Sequence, residues 1–239
     1  MIVAIDGPAG SGKSTTARLV AKRLGWLYLD TGAIYRTVGL AFLRGEAAFD
    51  EDGAAAVLPG LDLRIEPDAE GMRVVLSGED VTAQIRTPDV GVAASQVSSL
   101  GPVRAALLDV QRGTAHRLVA EGGGVVLDGR DIGTVVFPDA DVKVFMEADL
   151  DARAERRHSE LVRKCVQRGE APPSLATVPS LATVRAEIAE RDRRDTERAH
   201  APLRKADDAI VIDTTTCSIE AQVEHVLHCI AERGGPSVV

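Results

Sequence analysis

The sequence predicts an α/β fold in which a doubly wound parallel sheet of five strands is flanked by helices. Strand-like apolar runs alternate with helical stretches along most of the chain. The first run leads directly into a glycine-rich turn and the start of a helix. A chain of 239 residues with 45% hydrophobic residues is also long enough to bury the core of such a fold.

The individual elements follow from these runs. Alternation of strands with helices favours parallel pairing, because parallel strands need long crossover connections. The predicted strands are residues 2–5, 26–29, 125–127, 142–145 and 210–212. The predicted helices are residues 13–24, 33–44, 102–121, 150–168, 181–199 and 218–232.

Two segments interrupt the alternation. In the first, residues 61–65 and 73–76 have the pattern of short antiparallel strands, which predicts a small inserted β-rich lobe. The second, residues 169–179, is irregular, and the sequence Pro-Ser-Leu-Ala-Thr-Val begins twice, at Pro173 and at Pro179. Arginines flank this segment densely, which predicts a mobile lid that closes over phosphates and excludes water. The expected division is a core (1–57, 97–152 and 200–239), a lobe (58–96) and a lid with its flanking helices (153–199).

Composition excludes several classes of protein. The 28 basic and 36 acidic residues give a net charge of -8, which disfavours a general nucleic-acid or anionic-membrane surface. Three widely spaced cysteines indicate neither a disulfide framework nor a zinc site. Without a basic leader or an apolar stretch of the ~18 to 20 residues that span a bilayer, we expect a cytoplasmic protein. We also expect a monomer, because the chain shows no apolar stripe in excess of what its core needs.

A glycine-rich loop follows the first strand and fits the pattern G-x-x-x-x-G-K-[ST]. Its glycines allow successive N–H groups to point at one anion, and the N-terminus of the next helix adds partial positive charge. Lys13 is placed to reach the β and γ phosphates, and the Ser14 hydroxyl to coordinate Mg²⁺. The loop therefore predicts a nucleoside triphosphate site formed by Gly7, Pro8, Ala9, Gly10, Ser11, Gly12, Lys13, Ser14 and Thr15.

Two polar motifs follow predicted strands. After the second strand, Thr31 is expected to cap a helix that carries Tyr35 and Arg36. After the third strand come Asp128-Gly129-Arg130-Asp131, at the sheet edge where ligands bind in parallel sheets. Arg130 is suited to a phosphate and Asp131 to an amino group or hydroxyl. A surface arginine in the first motif and a polar turn in the second remain alternatives.

A third motif lies in the predicted helix 181–199. Spacings of three and four residues place Arg191, Arg194, Asp195 and Arg198 on one helical face. An anion between the arginines would relieve their repulsion, although Asp195 can also do so within an exposed, salt-bridged helix. Ser95 and Arg104, where the lobe returns to the core, carry no signal of their own.

Several nucleotide-binding classes share the glycine-rich loop. A GTP-dependent switch needs [NT]-K-x-D after a strand, and an ABC-type ATPase needs L-S-G-G-Q; the sequence has neither. The loop alone does not name the acceptor, so kinases for UMP, shikimate or another small acceptor remain open at this point.

Taken in order, the motifs resemble those of bacterial cytidylate kinases, P-loop nucleoside monophosphate kinases that move the γ phosphate of ATP to CMP or dCMP. The resemblance covers nearly the whole chain, and its most specific part is Asp128 to Asp139. It rests on Ile5-Asp6-Gly7-Pro8, Asp30-Thr31-Gly32-Ala33-Ile34-Tyr35-Arg36, Ala94-Ser95-Gln96-Val97, Asp128-Gly129-Arg130-Asp131-Ile132-Gly133-Thr134-Val135-Val136-Phe137-Pro138-Asp139, Arg191-Asp192, Ala201-Pro202-Leu203 and Asp213.

The resemblance implies roles for these residues. MgATP would lie on the loop and CMP or dCMP between the sheet edge and the lobe, with Thr31 and Gly129 in the acceptor site. Tyr35, Arg36, Arg130 and Arg198 would surround the acceptor phosphate, Ser95, Arg104 and Asp131 would read cytosine, and Arg191 with Asp195 would contact the sugar. The expected catalytic cations are Lys13, Arg130, Arg153, Arg157 and Arg198.

Two features depart from the family pattern. Many members have serine where Thr31 stands, which leaves the choice between CMP and dCMP open. The doubled segment makes the lid longer than is usual in the family.

Overall fold

The computed structural model describes residues 1–68, 71–167 and 178–236. Its strands are β1 (Ile2–Asp6), β2 (Leu27–Asp30), β3 (Leu63–Asp68), β4 (Gly71–Leu76), β5 (Glu79–Asp80), β6 (Val125–Gly129), β7 (Val142–Glu147) and β8 (Ile210–Asp213). Its helices are α1 (Lys13–Leu24), α2 (Thr31–Arg44), α3 (Glu51–Val57), α4 (Pro88–Val97), α5 (Gly101–Gly122), α6 (Leu150–Gln167), α7 (Leu181–Glu197) and α8 (Ile219–Glu232).

Five strands form the predicted parallel sheet, in the order β2-β6-β1-β7-β8. Successive residues of β1 point to opposite faces, so Ala4 packs on one side and Val3 and Ile5 on the other. Side chains of α2 and α5, such as Phe42 and Leu107, cover the first face. Those of α1 and α8 cover the second. The prediction of a doubly wound sheet with helices on both faces is thereby confirmed.

The second sheet is small and antiparallel, with the order β3-β4-β5. It shares a hydrophobic cluster with α2, in which Val74 and Leu76 pack with Leu40. Two ion pairs add to this contact, Arg44 with Glu79 at 2.9 Å and Arg86 with Asp30 at 2.9 Å. The predicted β-rich segment is therefore held against the helix that follows β2.

The sequence pattern did not predict β5, α3, α4 or a π-helical turn. Helix α3 is short and is capped by Asp50, whose carboxylate accepts from the Gly53 amide at 2.9 Å. Helix α4 begins with Pro88, and a π-helical turn spans Ile132–Val136. The prediction that Thr31 caps α2 is wrong. Asp30 is the cap and accepts from the Ala33 amide at 2.9 Å, because its carboxylate stands one residue earlier, where the backbone is still extended.

Helices α6 and α7 pack on each other through a small cluster that contains Ala154, Val184 and Ile188. The second copy of the repeated hexapeptide starts α7, since the Ser180 hydroxyl accepts from the Thr183 amide at 3.1 Å. Of the irregular segment predicted at residues 169–179, the part up to residue 177 lies outside the described residues.

Close packing of α2 against α4 generates a stability prediction. A β carbon on Gly39 would lie 2.8 Å from the Ala94 amide nitrogen, whereas one on Gly91 would meet no atom within 4 Å. We expect Gly39→Ala to lower the free energy of unfolding by about 1 to 3 kcal/mol, because it overpacks the contact. Gly91→Ala should raise it by up to about 1 kcal/mol through helix propensity. Urea denaturation of both variants measures the difference, and equal effects would contradict the prediction.

Candidate active site

The glycine-rich loop connects β1 to α1 at the carboxyl edge of the parallel sheet. Gly7 has φ 148°, and a β carbon there would lie 2.0 Å from the Met146 carbonyl oxygen. Gly12 has φ 94°, and a β carbon there would lie 2.8 Å from Gln222 Oε1. The glycines at these two positions are therefore required by backbone conformation and by close contact with β7 and α8.

Lys13 is buried inside the loop. Its ammonium group donates to the Pro8 carbonyl at 2.6 Å and to Ser11 Oγ at 3.3 Å. Burial and the nearby Arg130 hold the pKa of Lys13 well below its usual range, against the opposing attraction of Asp128. An anion that enters the loop would stabilise the Lys13 ammonium group, because this group is buried away from water and repelled by the neighbouring arginine.

Asp128, in β6, accepts hydrogen bonds from three elements. Ser14 Oγ donates to Asp128 Oδ2 and Tyr28 Oη donates to Asp128 Oδ1, each at 2.7 Å. The hydroxyl of Thr31 donates to the backbone carbonyl of Asp128 at 2.7 Å. The Ser14 hydroxyl and this carboxylate are hard oxygen donors of the kind that Mg²⁺ prefers, so the residues fit the ion expected from the sequence.

One face of α7 runs along the sheet edge and contacts three parts of the site. The Asp192 carboxylate accepts from the Ala9 amide of the loop at 3.2 Å. Asp195 Oδ2 accepts from Arg130 Nε at 2.7 Å, and Arg198 Nη2 lies 3.2 Å from Asp131 Oδ1. Of the predicted face, Asp195 and Arg198 contact residues at the sheet edge, whereas Arg194 lies 3.5 Å from Glu190. The alternative of an exposed salt-bridged helix holds only for its outer side, where Arg193 pairs with Glu190 and Glu197.

Asp131, Arg104 and Arg198 form a buried triad. Oδ1 of Asp131 pairs with Arg198 and Oδ2 pairs with Arg104, so the carboxylate lies between two guanidinium groups. The Arg104 guanidinium also lies 5.5 Å from the centre of the Tyr35 ring, within the range of a cation–π contact. A cavity of about 330 Å³ opens beside them, lined by Gln111 and His200 among others. Since a buried ion cluster costs desolvation, its presence here favours a role in binding over one in stability.

Positive charge accumulates between these contacts. Burial and the neighbouring Arg130, with Arg36 and Arg194 beyond it, lower the pKa of Arg191 to about 10. Within the described part of the chain, the buried Nε atom of Arg191 has no hydrogen-bond partner, and the same is true of Ser95 Oγ. Unpaired buried donors beside a surplus of cations are the features expected of an anion site.

The two predicted lid arginines differ. Arg153 is buried and donates to the Ala9 carbonyl at 2.9 Å, while its guanidinium pairs with Asp192 at 2.5 Å. Arg157 is exposed and pairs with Glu160 at 2.9 Å. The structure therefore brings Arg153 against the glycine-rich loop and does not bring Arg157 into the cluster.

Comparison with known proteins identifies the family. The cytidylate kinase family model matches residues 3–232. The chain belongs to the cytidylate kinase family. It is 50% identical over 235 residues to a cytidylate kinase of Salinibacter ruber, a match that covers 98% of this chain and 99% of the relative. A cytidylate kinase of Pseudomonas paraeruginosa is 46% identical over 236 residues, covering 98% of this chain and 96% of the relative.

Family membership makes this chain a nucleotide-binding transferase, an ATP-dependent nucleoside monophosphate kinase. Contacts near the ends of β2 and β6 join several of the sequence-predicted residues, among them Ser14, Thr31, Arg130, Asp131, Asp195 and Arg198, whereas Arg157 lies apart. Among the residues that the structure describes, no helix is both long and apolar enough to cross a bilayer.

Sequence reasoning did not assign several residues that support the site. Tyr28 lies in a predicted strand, and its hydroxyl, two residues before the strand end, is the only sequence signal for its contact with Asp128. Gln222 accepts from Thr16 Oγ1 at 2.9 Å and supports the loop from α8, a contact across 206 positions that no local pattern reveals. The motif Arg191-Asp192 predicts no role for Asp192.

The burial of Arg191 beside Arg130 predicts that this arginine favours anion binding but lowers the stability of the ligand-free protein. Replacing Arg191 by Met removes a buried, repelled charge, so we expect the ligand-free protein to gain about 1 to 3 kcal/mol in the free energy of unfolding. Stabilisation by added tripolyphosphate should fall at the same time. Arg193→Met is the matched control, because that arginine is exposed on the outer side of α7, and it should change neither quantity appreciably.

Urea denaturation with and without tripolyphosphate measures both effects. A destabilised Arg191→Met protein that retains the full response to tripolyphosphate would contradict the interpretation of this cluster as an anion site.

Proposed function

We propose that this edge of the sheet is where the enzyme transfers the γ-phosphate of MgATP to CMP or dCMP, giving ADP and CDP or dCDP. One observation carries the proposal. The buried Asp131 triad, suited to a base, and the Lys13 loop, suited to a triphosphate, are bridged by α7, through Asp192, and by Arg198, which directly follows it. The core, the lobe and the lid with its flanking helices would bind ATP, bind CMP and close over the phosphates, respectively.

On the donor side, the residues Gly7 to Thr15 would hold the phosphates of ATP. Magnesium, when bound with ATP, would offset the charge of the phosphates. Ser14 would hold it through the hydroxyl oxygen while the hydroxyl donates a hydrogen bond to Asp128, and Asp128 would order water near the ion. Lys13 would exchange its bond to the Pro8 carbonyl for one to a phosphate, which relieves the burial of an unpaired charge.

On the acceptor side, Asp131 would accept a hydrogen bond from the N4 amino group of cytosine. Each carboxylate oxygen has two lone pairs, so it can accept from the base while still paired with Arg104 or Arg198. Uracil presents a carbonyl oxygen at that position, which would face the carboxylate with no proton between them. Ser95 Oγ, buried without a partner in the described part of the chain, supplies the adjacent polar contact to the base.

The acceptor phosphate would lie among Tyr35, Arg36, Arg130 and Arg198, with Arg191 and Asp195 on the sugar. Thr31 and Gly129 would shape the wall between the phosphate and β6. The Thr31 hydroxyl already donates to Asp128, and a β carbon on Gly129 would lie 2.9 Å from it, so this wall is tightly packed.

Catalysis in this site is positioning and charge stabilisation. An oxygen of the acceptor phosphate attacks the γ phosphorus in line, without a covalent enzyme intermediate. The acceptor is ionised at neutral pH and needs no strong general base. Lys13, Arg130, Arg153 and Arg198 would stabilise the charge on the transferring group, and lid closure would exclude water as a competing acceptor. We further propose that the enzyme acts in the cytoplasm as a monomer on free nucleotides.

A coupled assay of ADP release tests the acceptor. MgATP is supplied with CMP, dCMP, UMP, AMP or GMP in turn, together with a control that has no acceptor. We expect rapid turnover only with CMP and dCMP. Equal ADP release without an acceptor, or a preference for another nucleotide, would overturn the proposal.

The role of Asp131 predicts a change in specificity. Asp131→Asn keeps the side-chain shape but replaces one acceptor by an amide donor, which can face the uracil carbonyl. We expect kcat/KM for CMP to fall about 100-fold, since a charge-assisted contact to the base is lost. The ratio of CMP to UMP turnover should fall as well, while the KM for ATP stays within about twofold.

Asp139→Asn is the control for that substitution. Asp139 is exposed and follows the same strand, so its loss should leave both kinetic constants near their original values. An Asp131→Asn enzyme that prefers CMP over UMP as strongly as the original enzyme would exclude Asp131 as the residue that reads the base.

A further inference from the structure

One buried carboxylate at the site has no part in the proposed chemistry. Asp6 is the last residue of β1 and directly precedes Gly7, the first glycine of the loop. Its Oδ1 accepts from the Ile132 amide at 2.9 Å and its Oδ2 from the Gly133 amide at 2.7 Å. These are the first two amides of the π-helical turn that follows Asp131.

The π turn fixes the backbone of Asp131. The amides of Val135 and Val136 both donate to the Asp131 carbonyl, at 2.9 and 3.1 Å. At the other end of the turn, the Arg112 side chain donates to the carbonyls of the same two valines. A carboxylate thus holds the amino end of the turn and a guanidinium its carboxyl end. Such support is needed because isolated π turns have poor intrinsic stability.

Asp6 is well suited to this contact only when it is ionised. A carboxylate accepts at both oxygens, whereas a protonated acid or an amide offers one acceptor and turns a donor toward the second amide. Burial, with a smaller contribution from Asp131, raises the pKa of Asp6 to about 6, against the two backbone amides and Lys13. The stem of Lys143 packs against Gly133, but its ammonium group is bound to the Pro138 carbonyl and to Asp208.

We propose that Asp6 is a positioning residue that ties the phosphate-binding loop to the acceptor-reading residue Asp131. The strand that carries Asp6 is paired on both sides, with β6 and with β7, so it provides a rigid anchor. Through two amides, this anchor sets the conformation of the turn and hence the direction of Asp131. The inference rests on the proposed function, since it takes Asp131 to be the residue that reads cytosine.

The substitution Asp6→Asn separates the two halves of the site. Because β1 remains paired, the loop should stay in place and the KM for ATP should change by less than about twofold. The turn loses one of its two acceptors, so the KM for CMP should rise about 10-fold. In the substrate-free protein, hydrogen exchange at the Ile132 and Gly133 amides should become faster.

The chain offers a matched control at the opposite end of the same strand. Asp141 Oδ2 accepts from the Ile2 amide at 2.6 Å, so Asp141→Asn also weakens a carboxylate contact to a backbone amide next to β1. We expect its KM for CMP and its exchange at residues 132 and 133 to match those of the original protein. Equal effects of the two substitutions would reduce Asp6 to a general structural role and overturn the proposal.

A pH titration tests the same contact in the unaltered protein and decides the question if the variant does not fold. Cytidine is the probe, because it has no phosphate that would titrate near pH 6. As the pH falls from 7 to 5.5, Asp6 gains a proton, so the affinity for cytidine should fall and the amide resonances of Ile132 and Gly133 should shift. If Asp6→Asn folds, it is already neutral at this position and should show neither change.

The outcomes separate the two proposals. If the original enzyme does not phosphorylate CMP, the proposed function fails, although the amide resonances still report the contact between Asp6 and the turn. If CMP is phosphorylated but these resonances and the cytidine affinity do not change with pH, Asp6 does not position Asp131.

Discussion

Positive charge held at one edge of the sheet is the constraint on which the site depends. Lys13, Arg130 and Arg191 are each buried or nearly so, and Arg130 helps to lower the pKa values of both Lys13 and Arg191. Full neutralisation by carboxylates would remove the affinity for phosphate, whereas no neutralisation would expel the arginines into water. The charge is instead partly neutralised: a carboxylate accepts from one N–H group of an arginine and fixes the orientation of the guanidinium group. Asp195 accepts from Arg130 in this way at Nε, while Nη1 of that arginine donates to the Gly129 carbonyl at 3.2 Å.

This arrangement explains why the site extends over α7. A sheet edge alone supplies few residues, because each strand ends in only one or two of them. Helix α7 adds Asp192, which contacts the loop, and Asp195, which contacts Arg130; Arg198, directly after the helix, contacts Asp131. Because these residues lie on one helix and on the position that follows it, a movement of α7 would change the donor and the acceptor halves of the site together. The same helix packs on α6, which carries Arg153 to the loop.

The sequence predicted the parallel sheet and its five strands, because these depend on local signals. Apolar runs mark buried strands, and charged residues directly after them mark the sheet edge. The π turn was not predictable, since its geometry depends on Asp6 and Arg112, which are distant in sequence. Arg157 shows that a local pattern can also predict a residue that does not reach the site. It lies one helical turn from Arg153, and only the structure separates the arginine that turns inward from the one that pairs with Glu160.

Two buried carboxylates, Asp6 and Asp195, show how surroundings assign different roles to the same side chain. Burial alone would raise both pKa values, but Arg130 and Arg191 lower the pKa of Asp195 below its usual value. Backbone amides around Asp6 have only partial charges, so burial dominates there and its pKa rises. The lowered pKa of Asp195 favours its ionised form, in which it accepts from Arg130. Asp6 lies close to its midpoint in mildly acidic solution, so the turn beside Asp131 is the part of the site whose support depends on pH.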